Sequence, residues 1–172
     1  MDRSPSSFDA FVTEHGAGLL RTAHLITLDH TEAEDLVQEC LVQLSRRWQR
    51  ISSMDRPLAY ARRTLANIAF RGAEKRLRRR DELSGAGVDV PADIEDVVEL
   101  IGVRQEVLGA LRTLTVRQRT VLALRYFHDL SETQVADALG CSVGTVRSTT
   151  SRSLAQLREA IDREPSRPRS EN

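Results

Sequence analysis

Apolar residues return every three or four positions along almost the whole chain, the signature of amphipathic helices stacked face to face. Only an acidic stretch near the middle and the last few residues escape that period. It commits the chain to an all-α fold. Phe8, Phe11, His15, Leu19, Ala23 and Ile26 line one face of a first helix. Gly16 and Gly18 weaken it, each by about 1 kcal/mol relative to Ala. After a break at Asp29-His30, Thr31-Glu32-Ala33-Glu34 has the capping-box pattern and predicts a helix start at Thr31. That helix carries Leu36, Val37, Cys40, Leu41, Leu44 and Trp48 on one side. Glu32, Asp35, Gln38, Glu39 and Gln43 share the other, acidic towards its N-terminal end as the helix dipole favours.

Ile51 to Arg56 reads as a loop, and Pro57 as a first helical residue whose missing amide hydrogen is not needed there. The helix it opens continues to Arg80, a rod of about 36 Å. Tyr60, Ala61, Leu65, Ile68 and Ala69 point inward and Arg62, Arg63, Asn67, Arg71 and Lys75 outward. Asp81 to Glu95, with Gly85, Gly87, Pro91 and five acids, reads as a linker. Helical period then resumes with Val97, Val98, Ile101, Val107, Leu108, Leu111 and Leu114. Thr115 to Gln118 and Ser131 to Gln134 are two further capping boxes. The first opens a helix with Val121, Leu122, Leu124 and Phe127. The second opens a short helix ending at Gly140, after which Ser142 caps a last helix running to about Ile161. The expected organisation is two small helical domains, 1–80 and 96–162, joined by a flexible acidic linker, 81–95, with a disordered tail at 163–172.

Charge follows the same partition. The chain is neutral overall, with 25 basic and 25 acidic residues. Yet Arg56 to Arg80 holds nine basic residues against one acidic, a net +8. Asp81 to Glu106 holds eight acidic against one basic, a net −7, and Arg112 to Arg158 seven Arg against three acids, a net +4. Two cationic surfaces on either side of an acidic connector suit a nucleic-acid partner. No run of apolar residues is long enough for a membrane span. The first residues lack the order of a signal peptide, so the expected location is the cytoplasm. Cys40 and Cys141 form no CxxC pair, the four histidines no HExxH, and no phosphate-binding or nucleophile-elbow glycine motif occurs. Nothing points to a metal, a cofactor or an enzyme.

The sharpest motif is Ser131 to Leu157, two helices joined by a short turn containing Gly140. A small Ala136 permits a close crossing, Gly140 supplies the left-handed turn, and Val146 anchors the second helix. With Val143, Val146, Thr150, Leu154 and Leu157 facing inward, the opposite face shows Thr145, Arg147, Ser148, Thr149, Ser151 and Arg152. No acid occurs between Asp137 and Glu159, so this helix can approach phosphates and base edges without repulsion. The bland alternative is an ordinary soluble Ser/Thr/Arg face on a packing motif. The run Lys75 to Arg80 can neutralise phosphates regardless of sequence. Trp48 and Tyr60 beside it suggest stacking on unpaired bases, although Trp48 also suits a core plug.

These residues resemble a bacterial extracytoplasmic-function (ECF, group 4) sigma factor of the sigma-E-like kind, with only sigma regions 2 and 4. Glu34-Asp35-Leu36-Val37-Gln38-Glu39 is similar to the region 2.2 motif, and Arg56 to Asn67 to the region 2.3–2.4 helix. Arg117 to Tyr126, Leu130 to Ala136 and Leu139 to Ser148 are similar to region 4. The resemblance implies that Asp35, Gln38 and Glu39 dock on the β′ clamp helices of core RNA polymerase. It places Arg62, Arg63, Asn67, Arg71 and Lys75 on the minus-ten promoter element and Ile51–Arg56 on the loop that holds a flipped base. Thr145, Arg147, Ser148, Ser151 and Arg152 fall on the helix that reads the minus-thirty-five element, while other parts of region 4 meet the β flap. The linker corresponds to the segment threading the polymerase, and an anti-sigma factor is an implied partner. Departures are Tyr60 where many members have Trp, Leu114-Thr115-Val116 for Leu-Pro-Glu, and Thr149-Thr150 for Arg-Leu. Against this non-catalytic initiation subunit stand a free-standing helix-turn-helix regulator that binds an operator as a dimer without joining polymerase, and an adaptor that only sequesters another regulator.

Overall fold

The computed structural model describes residues 7–82 and 104–163. Regular structure among them is helical throughout. The elements are α1 (Phe8–Thr27), α2 (His30–Ser45), α3 (Trp48–Ile51), α4 (Pro57–Glu82), α5 (Gln105–Arg112), α6 (Val116–Leu122), α7 (Glu132–Leu139) and α8 (Val143–Arg163), with a π-helical turn at Ala123–Phe127. The apolar positions Val97, Val98 and Ile101, most of the acidic linker and the tail beyond Arg163 lie outside the described residues, as do the side chains of Arg76 to Arg80.

Local chemistry explains most boundaries. Thr115 and Ser131 each accept the backbone N–H three residues on, at 3.2 Å, and the Gln118 and Gln134 side chains return the bond at 2.8 Å. Gly140 closes α7 at φ 66°, a backbone that a side chain would strain. Ser142 caps α8 by accepting from the Thr145 N–H at 3.0 Å. The expected box at Thr31 does not form. Leu28 turns left-handed at φ 55° and ends α1, so the extended residue Asp29 meets the next helix first. Its carboxylate accepts the Glu32 N–H at 2.7 Å, α2 starts at His30, and Thr31 lies exposed inside the helix. Glu34 instead sits 3.3 Å from the His30 ring. A second departure is Phe127. The π turn adds a residue to one turn of helix and swings Tyr126 and Phe127 out of the apolar stripe, leaving Phe127 exposed.

The two halves do not stand apart. Three buried clusters hold the described residues together, and each draws on both halves. In one, Phe11, Leu19, Ala23, Ile26, Leu36, Val37, Cys40, Leu44, Leu65 and Ala69 surround Ala123. In the next, Ala66 and Phe70 of α4 pack among Val121, Leu124, Val135, Ala136, Leu139 and Val146. In the third, Leu28 at the end of α1 meets Leu108, Leu111, Leu114 and Leu122. Helix α4 therefore has two buried faces. Ala61, Leu65 and Ala69 turn towards α1 and α2, as the sequence predicts, and Ala66 and Phe70 turn towards α6 and α7.

Charged and polar groups stitch the same junction. Arg119 of α6 is 7% exposed, and its guanidinium donates to four backbone carbonyls. Two belong to the end of α1, Ile26 at 2.6 Å and Thr27 at 3.3 Å. The others are Leu111 at 3.3 Å and Leu114. Burial lowers its pKa to about 10, still far above neutrality, so the group is charged. Thr22 of α1 meets the His128 ring at 3.1 Å, and the Arg117 guanidinium stands 4.3 Å over the Phe70 ring.

Candidate nucleic-acid interface

Two surfaces bear the residues singled out in the sequence. The first is a cleft of about 1150 Å³ between α2 and α4. Its α2 wall carries Glu32, Asp35, Glu39 and Gln43, and its α4 wall Tyr60, Arg63, Asn67, Arg71 and Lys75. Helical geometry brings the latter set together: 63, 67, 71 and 75 are spaced by four and lie one above another. Asp35, Glu39, Arg63, Arg71 and Lys75 are all exposed. The carboxylate and cationic walls face each other without an ion pair between those five side chains. Asp35 and Glu39 thus present negative charge to solvent from one wall, and Arg71 and Lys75 positive charge from the other. Asn67 is half-buried, and its side-chain oxygen has no hydrogen-bond partner among the described residues. Arg63 reaches across to α7 and donates to the Asp137 carbonyl.

Not every expected residue joins this cleft. Gln38 is exposed on α2 beside Glu39 but outside the lining. Arg62, one position round from Arg63, turns the other way. It lies with Arg21, Phe127, His128 and Asp129 in a small recess at the junction of the two halves, where burial lowers its pKa. Arg46 and Arg47, to which the sequence pattern assigns no role, line the cleft from the end of α2. Their signal was present, two adjacent cations just past an amphipathic helix, but the helix period alone does not say which element they face. Trp48 is a core residue, 5.3 Å edge-on to Phe8 and 4.9 Å from Phe11 by ring centroids, and is no stacking platform here. Tyr60 is half-buried and does border the cleft.

The second surface is α8. Val146 and Thr150 are buried under it, and Val143, Leu154 and Leu157 are half-buried. Thr145, Arg147, Ser151 and Arg152 face solvent, with Ser148 half-buried among them. Arg152 donates to the Ser148 hydroxyl at 3.3 Å, and that hydroxyl donates to the Thr145 backbone carbonyl at 3.1 Å, which ties the Arg152 and Ser148 side chains together along one stripe. A helix presented this way by a capped helix-turn-helix can enter a major groove. Ser153, absent from the expected inward set, is buried and satisfies its hydroxyl on the Thr149 carbonyl at 2.7 Å. Among the described residues no three His, Cys, Asp or Glu side chains gather where they could hold a metal, and no helix is long and apolar enough to cross a membrane.

Comparison with known proteins assigns both surfaces to one family. Residues 11–82 match the family described as Sigma-70 region 2, and residues 104–157 match Sigma-70, region 4. The chain is 34% identical over 155 residues to the RNA polymerase sigma-E factor of Streptomyces avermitilis, spanning 90% of this chain and 85% of that protein. It is 28% identical over 167 residues to the ECF RNA polymerase sigma factor SigK of Mycolicibacterium vanbaalenii, spanning 92% and 84%. The chain belongs to the ECF sigma factors. Such a sigma factor is a non-enzymatic subunit of RNA polymerase that directs transcription initiation by promoter recognition. The fold agrees. A solved structure of the sigma factor RpoE in complex with the anti-sigma factor NepR from Bartonella quintana superposes with a TM-score of 0.64 at 23% identity, covering 90% of this chain and 98% of that one. In this sigma factor region 2 therefore supplies the cleft and region 4 the exposed helix α8.

Proposed function

We propose that this sigma factor joins core RNA polymerase through α2, with Asp35, Gln38 and Glu39 on the β′ clamp helices and region 4 on the β flap. Arg63, Asn67, Arg71 and Lys75 then hold the minus-ten element. Arg62 adds to that set once region 4 moves off it. Thr145, Arg147, Ser148, Ser151 and Arg152 read the minus-thirty-five element. The working units are 1–80 and 96–162, with 81–95 as the tether and 163–172 as a tail. The protein acts in the cytoplasm, under control of an anti-sigma factor.

The observation that carries this reading is the two-walled cleft. A carboxylate wall beside a cationic wall lets one groove seat a basic protein helix and a DNA strand next to each other, which is what a subunit working at the polymerase–promoter junction requires. A free-standing dimeric regulator has no use for the acidic wall. Run-off transcription with purified core enzyme tests it, on promoters recovered by immunoprecipitating the protein with its bound DNA. Transcripts that start at those promoters only when the protein is added support the reading. Core enzyme that gains no promoter selectivity refutes it.

A further inference from the structure

We propose that Arg119 is the latch of a closed resting form, in which region 4 is clamped onto region 2 and the protein cannot occupy both promoter elements at once. The inference rests on the sigma-factor reading above for its second half only; the closure itself is a matter of geometry. Arg119 belongs to region 4, but its Nε and Nη2 donate to Ile26 and Thr27, the carbonyls left over at the C-terminal end of α1 in region 2. A cation at a helix C-terminus is favoured by the dipole, and no carboxylate is hydrogen-bonded to this guanidinium. Its Nη1 stays inside region 4, on Leu111 and Leu114. The residue thus holds its own domain with one nitrogen and the neighbouring domain with two.

Around it the closed junction is apolar and close-packed: Leu28 against Leu108, Leu111 and Leu122, and Ala66 and Phe70 against Val121, Leu124 and Val135. Closure also engages promoter-binding residues. Arg63 is tied to the Asp137 carbonyl, and Arg62 is turned into the recess beside His128. Size makes the same point. The two promoter elements lie about 25 base pairs apart, about 85 Å of duplex at 3.4 Å per step. A compact chain of this length is only about 40 Å across. Both halves can reach their elements only after the junction opens. The latch suits that cycle, because an opened guanidinium and the Ile26 and Thr27 carbonyls exchange their bonds for water and leave no buried charge behind.

Small-angle scattering of the full chain, wild type against Arg119→Met, reads the latch directly. The wild type should have a radius of gyration near the compact value of about 16 Å, and the variant, with its helix content retained by circular dichroism, one several Å larger. A folded variant as compact as wild type overturns the proposal. Should the variant not fold, a second protein decides: Thr22→Cys with His128→Cys in a Cys141→Ser background. Its two thiols are bridged across the junction by a short linker containing a reducible disulfide. The bridged protein should bind core enzyme at least about tenfold more weakly and give no promoter-dependent transcript, with both recovered on reduction. Equal activity bridged and reduced overturns the proposal. If the variant opens but neither protein ever binds core enzyme, the latch stands and the sigma-factor reading fails.

Discussion

Arg147 of the exposed helix donates to Glu132 of the preceding helix through both Nε, at 3.2 Å, and Nη2, at 3.0 Å. The pair spans the helix-turn-helix and holds the guanidinium over the face proposed to meet DNA. It is an exposed pair, with the Arg side chain at 71%, so its contribution to stability is about 0–1 kcal/mol at most. Arg147→Ala and Arg152→Ala should leave the melting temperature nearly unchanged. Each should weaken holoenzyme binding to the minus-thirty-five element by about 1–3 kcal/mol and relax the base preference at the contacted position. Binding titrations on promoters with single substitutions in that element check this.

Arg71→Ala and Lys75→Ala should act differently. These side chains line the cleft from α4 and are exposed cations suited to phosphates. Each loss should weaken promoter binding to a similar degree on every sequence and reduce the slope of log affinity against log salt by about 1. A salt titration of holoenzyme binding reads that slope.

Reversal of the acidic wall, Asp35→Arg with Glu39→Arg, should abolish association with core enzyme without harming the fold. Both side chains are exposed, so the cost falls on encounter and docking rather than on packing. Gel filtration with core enzyme, beside a thermal melt of the free protein, separates the two effects.

Acid should loosen the junction between the regions. Burial, helped by the Arg62 charge, pushes the His128 ring down to about 4 from its ordinary 6.5, against the opposing pull of Asp129. The closed protein therefore keeps this ring neutral against Thr22 while the unfolded chain takes up a proton. Stability contributed by the neutral ring is complete above pH 6.5 and is lost as pH falls towards 4. His24, also lowered by burial, acts in the same direction. The difference in melting temperature between wild type and His128→Gln, followed from pH 7 to 4, should shrink or reverse as the pH falls.

How far the sequence announced this protein can be judged at α2, α4 and α6. The heptad-like spacing of Leu36, Val37, Cys40 and Leu44 was enough to place the acidic residues outside, because one face of a helix settles the other. The same logic misled at α4. Ala66 and Phe70 look like surface residues when only one partner is assumed, and the second buried face exists because region 4 covers it. The period alone groups Arg62 with Arg63 for the same reason, although a step of 100° puts them on opposite sides of that contact. Arg119 gave no signal, since an arginine in the first turns of a capped helix normally points to water; only the end of α1 makes it a buried donor. The start of α2 was a local contest between two caps. Asp29→Ala should cost about 1 kcal/mol and Thr31→Ala almost nothing, by urea denaturation.

The central claim is that this chain works as a promoter-choosing subunit of RNA polymerase, and equilibrium binding to core enzyme tests it most directly. A labelled full-length protein titrated with purified core enzyme should saturate at one copy per enzyme, with Asp35→Arg/Glu39→Arg failing to bind. No association by the wild-type protein, or association that the charge reversal leaves untouched, would contradict the account.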